Sequence, residues 1–217
     1  MDRLIDSEND KNRRRYDITS WLYDILDYPW EQIYRKWRPE LLEDLRGSVL
    51  EAGVGTGRNL EFYHPEVNLT AFDLSPAMLK KAANRKAKAK CSITLVQEDA
   101  CRMDSIGSQQ FDWVVATFLC CVIPAALQPQ VIQQVERVLK PGGRFRLLEM
   151  VYSNNPALRK RQDRFAPFVK TVYGAGFDRD TLRHVCASSQ LSITATRFLK
   201  HDTYLLIDGV KKPQPVG

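Results

Sequence analysis

Three glycines and a carboxylate are the first residues of this chain whose spacing suggests chemistry. In VLEAGVGTGRN, Gly53, Gly55 and Gly57 follow a short apolar run and lead into a helical stretch, so they sit where a strand turns into a helix. Glycine there permits positive φ and lets backbone amides approach a ligand closely. The next apolar run ends AFDLS and puts Asp73 sixteen residues beyond Gly57, about one helix plus one strand, so loop and acid can reach one ligand. At the carboxyl edge of an open α/β sheet, where ligands bind, such a carboxylate can accept both hydroxyls of a ribose. It could also cap the helix that opens at Pro76, a role that Ser75 fits. A third run ends QEDAC; Asp99 can take an exocyclic amine of adenine there and the Ala100 amide can meet a ring nitrogen. Met78, one turn into the helix after Asp73, can cover an adenine face or simply fill the core. The spacing is GxGxG rather than the GxGxxG of dinucleotide-binding loops, which argues against a nicotinamide-dependent oxidoreductase.

These residues need a scaffold that brings strand ends together. SVLEAG, LTAFDL, ITLVQE, DWVVATFL and RFRLLEMV are five candidate strands separated by helical stretches, a pattern of right-handed crossovers and a mostly parallel sheet. LSITATRFL and TYLLIDGV are separated only by Lys200, His201 and Asp202, which predicts an antiparallel hairpin at the edge of that sheet. In the turn LKPGGRF, Pro141 and Gly142 suit the central positions of a type II turn at the end opposite the ligand. Ahead of the strands, some eleven polar residues precede YDITSWLYDILDYPWEQIYRKWRPELLEDL, which reads as two helices broken near Asp27 to Pro29. The expected organisation is one domain: a helical lid over 1–46, a ligand-binding core over 47–151, an insertion over 152–190 that is too long for an ordinary crossover, and a hairpin and tail over 191–217. The insertion is where selectivity for a second substrate is expected.

Composition sets the outer bounds. The chain has 217 residues, 44% hydrophobic and 27% charged, which suits one globular domain and excludes a disordered or collagen-like chain. It has no apolar run of signal-peptide or membrane-span length, and the expectation is a cytoplasmic protein. Its five cysteines include no CxxC pair, so neither a disulfide framework nor a metal is expected. His64, His184 and His201 fall in turn, helix and hairpin positions without ligand spacing. The formal net charge is +6, and KKAANRKAKAK carries much of the excess. Such a run reads either as a solvated helix face or, together with a second basic stretch from Arg159 to Arg164, as peripheral contact with an anionic membrane.

As a set, the glycine loop with its acidic Glu51, FDLSPAML, EDA, FDWVVATFL and LKPGGRF resemble the class I S-adenosylmethionine-dependent methyltransferases, over about residues 16–150. The resemblance implies a three-layer α/β, Rossmann-like fold with a seven-stranded sheet in the order 3-2-1-4-5-7-6, and S-adenosyl-L-methionine as cofactor. It implies cofactor contacts from Glu51, Gly53, Gly55, Gly57, Asp73, Leu74, Met78, Asp99 and Ala100, with Thr117 close to the methionine portion. Tyr16 and Tyr23 are candidates for lid residues over the cofactor, Tyr16 also for a catalytic role, with packing onto the sheet as the competing account. Methyl transfer from a sulfonium is an in-line displacement that needs alignment more than acid or base groups. Glu149, at the end of strand five, is the candidate acceptor-side base or amine anchor, with a salt bridge or cap as its alternative. Adjacent Cys120 and Cys121 would alternate sides of a strand, so both cannot face one substrate.

Within the family the chain looks most like the quinone-biosynthesis C-methyltransferases and the bacterial phosphatidylethanolamine N-methyltransferases, so a small-molecule or lipid acceptor is expected. LLEMVYSNNP departs from the LEFS pattern of the former group, which points away from a quinone. Strand four lacks the [DNS]PP[YF] tetrapeptide of nucleic-acid amino methyltransferases, and no nucleic-acid partner is expected. The alternatives are a soluble amine, thiol, phenol or quinone-carbon acceptor, or a non-catalytic cofactor-binding partner protein.

Overall fold

The computed structural model describes residues 2–213, without the side chains of 2–4, 8–9 and 18–24. Apolar runs flanked by helices form a seven-stranded sheet in the order β3-β2-β1-β4-β5-β7-β6. Its strands are β1 (Gly47–Ala52), β2 (Val67–Asp73), β3 (Ser92–Gln97), β4 (Phe111–Thr117), β5 (Leu139–Met150), β6 (Leu191–Phe198) and β7 (Tyr204–Lys211). The first five pair in parallel, whereas β7 runs antiparallel between β5 and β6, so the expected hairpin and strand order are both present. Between β4 and β5 the register slips after Phe111 pairs with Leu139, and the intervening KPGG turn has Gly142 at φ 77°, the left-handed conformation a type II turn requires.

Helices cover both faces: α1 (Asp2–Leu26), α2 (Tyr28–Leu42), α3 (Pro76–Lys86), α4 (Gln128–Val138), α5 (Pro156–Tyr173) and the short α6 (Thr181–Cys186). Side chains alternate across the central strands. Leu50, Ala52, Val114, Ala116, Phe145 and Leu147 pack with Val131, Ile132, Val135 and Val138 of α4 on one face. Val49, Val115 and Leu148 pack with Leu41 and Leu42 of α2 and Ala82 of α3 on the other. Lys211, buried at the end of β7, donates from Nζ to the carbonyls of Glu136 and Leu139 at 2.7 and 2.9 Å. It thus satisfies carbonyls left open where α4 ends.

The two-helix reading of the N-terminal region places the break correctly, at Asp27, with Pro29 in the first turn of α2. It misses residues 2–11, which are helical and form the start of α1. Tertiary contacts explain this: Ile5 is buried in the core, and Asp6 pairs with Arg102 at 2.8 Å. Among the described residues no helix is long and apolar enough to cross a membrane.

Candidate active site

The carboxyl ends of β1 to β4 open into a cavity of about 230 Å³, walled by α1, α2 and the segment after β5. The glycine loop forms its floor. Gly57, at φ 80°, would place a Cβ 2.8 Å from the Ala82 backbone, so its role is the close approach of loop to α3. Gly55, at φ 55°, has nothing within 4 Å of the same position, so this glycine leaves open space above the loop. Asp73 closes the loop from β2: one carboxylate oxygen accepts from the Gly55 amide at 2.8 Å and the other from the Ser75 amide at 2.9 Å. Burial pushes the Asp73 carboxyl above its ordinary range, against the lowering effect of these amides. Ser75 caps α3, accepting from Met78 N at 3.2 Å, and its hydroxyl donates to Asp17 at 2.7 Å, tying α1 to the same corner.

Along the β3 end, Asp99 accepts from Cys101 N at 2.8 Å, and Glu98 accepts from Asp99 N at 2.9 Å and Ser105 N at 2.8 Å. Of the residues expected at a cofactor, Tyr16, Gly53, Gly55, Asp73, Leu74, Met78, Asp99, Ala100 and Thr117 line this one cavity. Gly57 and Glu51 do not: Gly57 packs on α3, and Glu51 lies beneath the loop, accepting from Asn59 Nδ2 at 2.7 Å. Burial raises the Glu51 carboxyl to about 7. Its Oε2 and the Tyr63 hydroxyl are within electrostatic reach of each other, yet no well-formed hydrogen bond joins them. Tyr23 lies in α1 with its side chain outside the described residues.

Neither catalytic candidate is poised as a base. Glu149 does not line the cavity; it is 1% exposed, and its two oxygens accept from Cys120 N at 2.9 Å and Cys121 N at 2.8 Å. Burial outweighs those two amides and raises its carboxyl to about 7. The geometry is that of the alternative reading, a cap on the turn after β4. That turn begins at Phe118, held at φ 59°, and continues as a 3-10 helix over Cys120–Val122. The strand therefore ends at Thr117, and strand alternation does not govern the two cysteines; Cys121 lines the cavity and Cys120 does not. The Cys121 thiol donates to Phe118 O at 3.1 Å and is pushed well above its ordinary range by burial and by Glu149. Tyr16 donates its hydroxyl to the Tyr173 carbonyl at 2.7 Å, and burial raises its pKa, so it stays a neutral phenol joining α1 to α5.

Two groups of cavity residues were not picked out from the sequence. The first is ionic. Arg58, just past the glycine loop, bonds Asp27 at the α1–α2 corner and Glu31 at 2.7 Å. Glu31 is also held by Arg38 at 2.5 and 2.8 Å, and Arg38 Nε donates to Asn59 Oδ1 at 2.7 Å. This chain of contacts joins the helical cover to Glu51 under the loop. The second group is aromatic. Tyr34 lies 4.8 Å from Phe118 and 5.7 Å from Tyr204, ring centre to ring centre, and Trp30, Tyr173 and Phe177 continue the wall. The aromatic richness of the N-terminal region signalled Tyr34; nothing local marks Phe177 or Tyr204, which arrive from 143 and 170 residues away.

A family model for a methyltransferase domain matches residues 49–143. A phosphatidylethanolamine N-methyltransferase of Cereibacter sphaeroides is 31% identical over 151 residues, covering 68% of this chain and 71% of its own. The chain belongs to the class I S-adenosylmethionine-dependent methyltransferases. A ubiquinone/menaquinone biosynthesis C-methyltransferase of Syntrophotalea carbinolica is 32% identical, covering 69% of the chain and 62% of its own length. A rat thiol S-methyltransferase is 34% identical over 47% of the chain and 44% of its own. The chain thus spans less than two thirds of either of these two relatives. Among solved structures, N-methyltransferase NodS from Bradyrhizobium japonicum superposes with a TM-score of 0.62 at 17% identity, over 87% of this chain and 99% of that one, which shows the shared fold. The cofactor of this methyltransferase family is S-adenosylmethionine, and the cavity is chemically suited to it. Carboxylates stand along the β2 and β3 ends, open space lies over Gly55, and apolar Leu74, Met78 and Ala100 sit between them. Among the described residues no cluster of side chains could hold a metal ion.

Proposed function

We propose that this methyltransferase transfers a methyl group from S-adenosylmethionine to a nucleophilic atom of a small amphiphilic acceptor drawn from lipid, with a headgroup amine as the leading case. The observation that carries this reading is the chemical division of the cavity. One end has Asp73, Glu98 and Asp99; the other is walled by Trp30, Tyr34, Phe118, Met150, Tyr173, Phe177 and Tyr204. The acidic end suits the nucleoside, with Asp73 on the ribose hydroxyls and Asp99 and Ala100 at the adenine edge. The aromatic end suits an apolar acceptor, and both the 1–46 cover and the 152–190 insertion contribute to it, which supports assigning selectivity to those two segments.

Bound cofactor supplies an electrophilic methyl on a sulfonium. The chain's own residues hold, orient and exclude water. Among the described lining residues there is no histidine or lysine, and Asp27, on the cover, is engaged with Arg58. On this reading the acceptor presents its own lone pair, as a neutral amine or a thiolate does; an amine passes its surplus proton to solvent after transfer. A thiol acceptor is the second reading, favoured by this lack of a base and by the thiol methyltransferase relative. The test is incubation with methyl-labelled cofactor and a total cell extract, followed by phase separation. Label is expected in extracted lipid, and an Asp73→Ala variant should lose it. Label confined to water-soluble thiols or amines, at normal turnover, would reject the lipid reading.

A further inference from the structure

The acceptor-side wall is built partly by α5, and the outer face of that helix is unusual. At positions 161, 164, 165 and 168 it presents Arg161, Arg164, Phe165 and Phe168, an i, i+3, i+4, i+7 stripe in which both phenylalanines are open to solvent, 50% and 42% exposed. Arg159 and Lys160 are exposed at the same end, and Asp163 is the only carboxylate of the helix. The adjoining face is fixed to the fold: Gln162 accepts from Ser153 N at 2.8 Å and donates to Val151 O at 2.9 Å, and Val169 is buried. Phe168 stands edge-on to Tyr173, ring centres 6.2 Å apart, and Tyr173 and Val169 line the cavity. At the α1–α2 corner, Ile25 and Tyr28 are 67% and 61% exposed on either side of Asp27, which is within electrostatic reach of the Tyr173 hydroxyl. Four of the five large hydrophobic residues exposed among the described residues therefore belong to α5 and to the α1–α2 corner, which approach each other at Tyr173.

We propose that this face of α5 docks on an anionic lipid bilayer and presents the mouth of the acceptor cavity to it. The inference rests on the amphiphilic-acceptor reading above and adds the surface through which the acceptor arrives. Charge selects the partner: aromatic rings set among arginines fit an anionic interface, where the rings enter the headgroup boundary and the cations meet lipid phosphates. Of the two basic stretches singled out by sequence, the one that begins on α3 fits less well. Arg85 is turned inward to the Thr56 carbonyl, and α3 presents no large exposed hydrophobic residue among those described. α3 also packs against β2 and β3, on the nucleoside side of the cavity.

The test is sedimentation of the full chain with vesicles of phosphatidylglycerol and phosphatidylcholine in equal parts, at low salt. Since one basic residue near such a surface strengthens partitioning about five-fold, Arg161→Gln with Arg164→Gln should weaken it by about 25-fold. Phe165→Ser should weaken it at least ten-fold, by loss of buried ring area. Lys80→Gln with Lys86→Gln, the same charge change on α3, should leave partitioning within about three-fold of native. S-adenosylhomocysteine affinity, measured in parallel, should be native in all variants, which shows that each is folded. The inference is overturned if the α5 variants pellet like the native protein, if the α3 variant loses as much as the arginine variant, or if the α5 changes alter only the oligomeric state. Methylation of a detergent-dispersed lipid acceptor is the separate readout for the acceptor reading. If α5 variants keep that activity but no longer bind vesicles, both proposals stand; if native protein binds vesicles and methylates no lipid, only the acceptor reading fails.

Discussion

Arg58→Gln is the substitution for which the structure gives the sharpest expectation. The Arg58 side chain is 13% exposed and those of Asp27 and Glu31 are 15% exposed, so the contact lies well inside the range where desolvation matters. Glu31 would keep both bonds from Arg38, at 2.5 and 2.8 Å, whereas Asp27 would lose its guanidinium partner. Breaking a buried ion pair from one side costs about 3–5 kcal/mol and an exposed one about 0–1 kcal/mol. At this exposure, with one carboxylate still paired, roughly 2–3 kcal/mol is expected. The cost falls on the closed position of α1 and α2 over the cavity. If cofactor binds the closed form, S-adenosylhomocysteine affinity should drop by about 30- to 150-fold. Calorimetric titration of Arg58→Gln, Asp27→Asn and the double variant tests this, because a direct interaction makes the double variant less than additive. Affinity within three-fold of native for Arg58→Gln, or strict additivity, would refute the reasoning.

Asp73→Ala should weaken S-adenosylhomocysteine binding by about 10- to 100-fold, since a hydrogen bond to a charged group contributes roughly 1.5–3 kcal/mol. The Gly55 and Ser75 amides also lose their acceptor, so urea unfolding should show a loss of about 1–3 kcal/mol as well; unchanged affinity would sink the ribose assignment. Glu51 and Glu149 both rise from 4.5 to about 7 on folding, so the folded state holds these protons more tightly. Their contribution is fully present below pH 4.5 and is lost as pH rises through about 7, at most roughly 3 kcal/mol for each group. Denaturation between pH 5 and 8 should show that decline, and Glu149→Gln should flatten it; the same slope in both proteins would contradict the buried-acid account. Gly209→Ala would set a Cβ 2.1 Å from the ring of Phe145, itself fully buried, and should destabilise by about 2–3 kcal/mol; an unchanged melting temperature would show that the β7–β5 contact is looser than it looks.

The strand-end residues were legible because local rules place them. Apolar runs fix the strands, turn chemistry fixes the loops, and Gly55, Asp73, Asp99 and Thr117 follow at the carboxyl edge. Where a side chain's role depends on a distant element, sequence reading stops short. Arg58 directly follows the last glycine of the motif, yet its partners Asp27 and Glu31 come from the cover, 31 and 27 residues earlier. The helical start at residues 2–11 was concealed because only Leu4 and Ile5 there are apolar, and of the described side chains in that stretch only Ile5 is buried. Glu149 was placed at the correct strand end, but its direction was set by the turn at 118–122, whose 3-10 geometry no periodicity announces.

Asp73 and Glu149 make the limit of motif reading concrete, because the two acids do the same local work. Each stands at the carboxyl end of a strand and accepts from two backbone amides on the ligand side of the sheet, Glu149 from one loop and Asp73 from the loops after β1 and β2. Glu98 does likewise on Asp99 and Ser105. A carboxylate that holds two amides fixes a loop in one conformation, and a displacement that depends on alignment gains from walls fixed in this way. What separates the acids is the capacity left over. A carboxylate has about four acceptor sites; Asp73 spends two and borders open space above Gly55, whereas Glu149 spends two and is sealed at 1% exposure. The first can still receive a pair of hydroxyls, and the second can only hold its turn. Glu149 is therefore committed to its turn, and on the proposed reading the rate draws on the cavity's shape and dryness, to which the cover, the aromatic wall and these carboxylate-pinned loops contribute together.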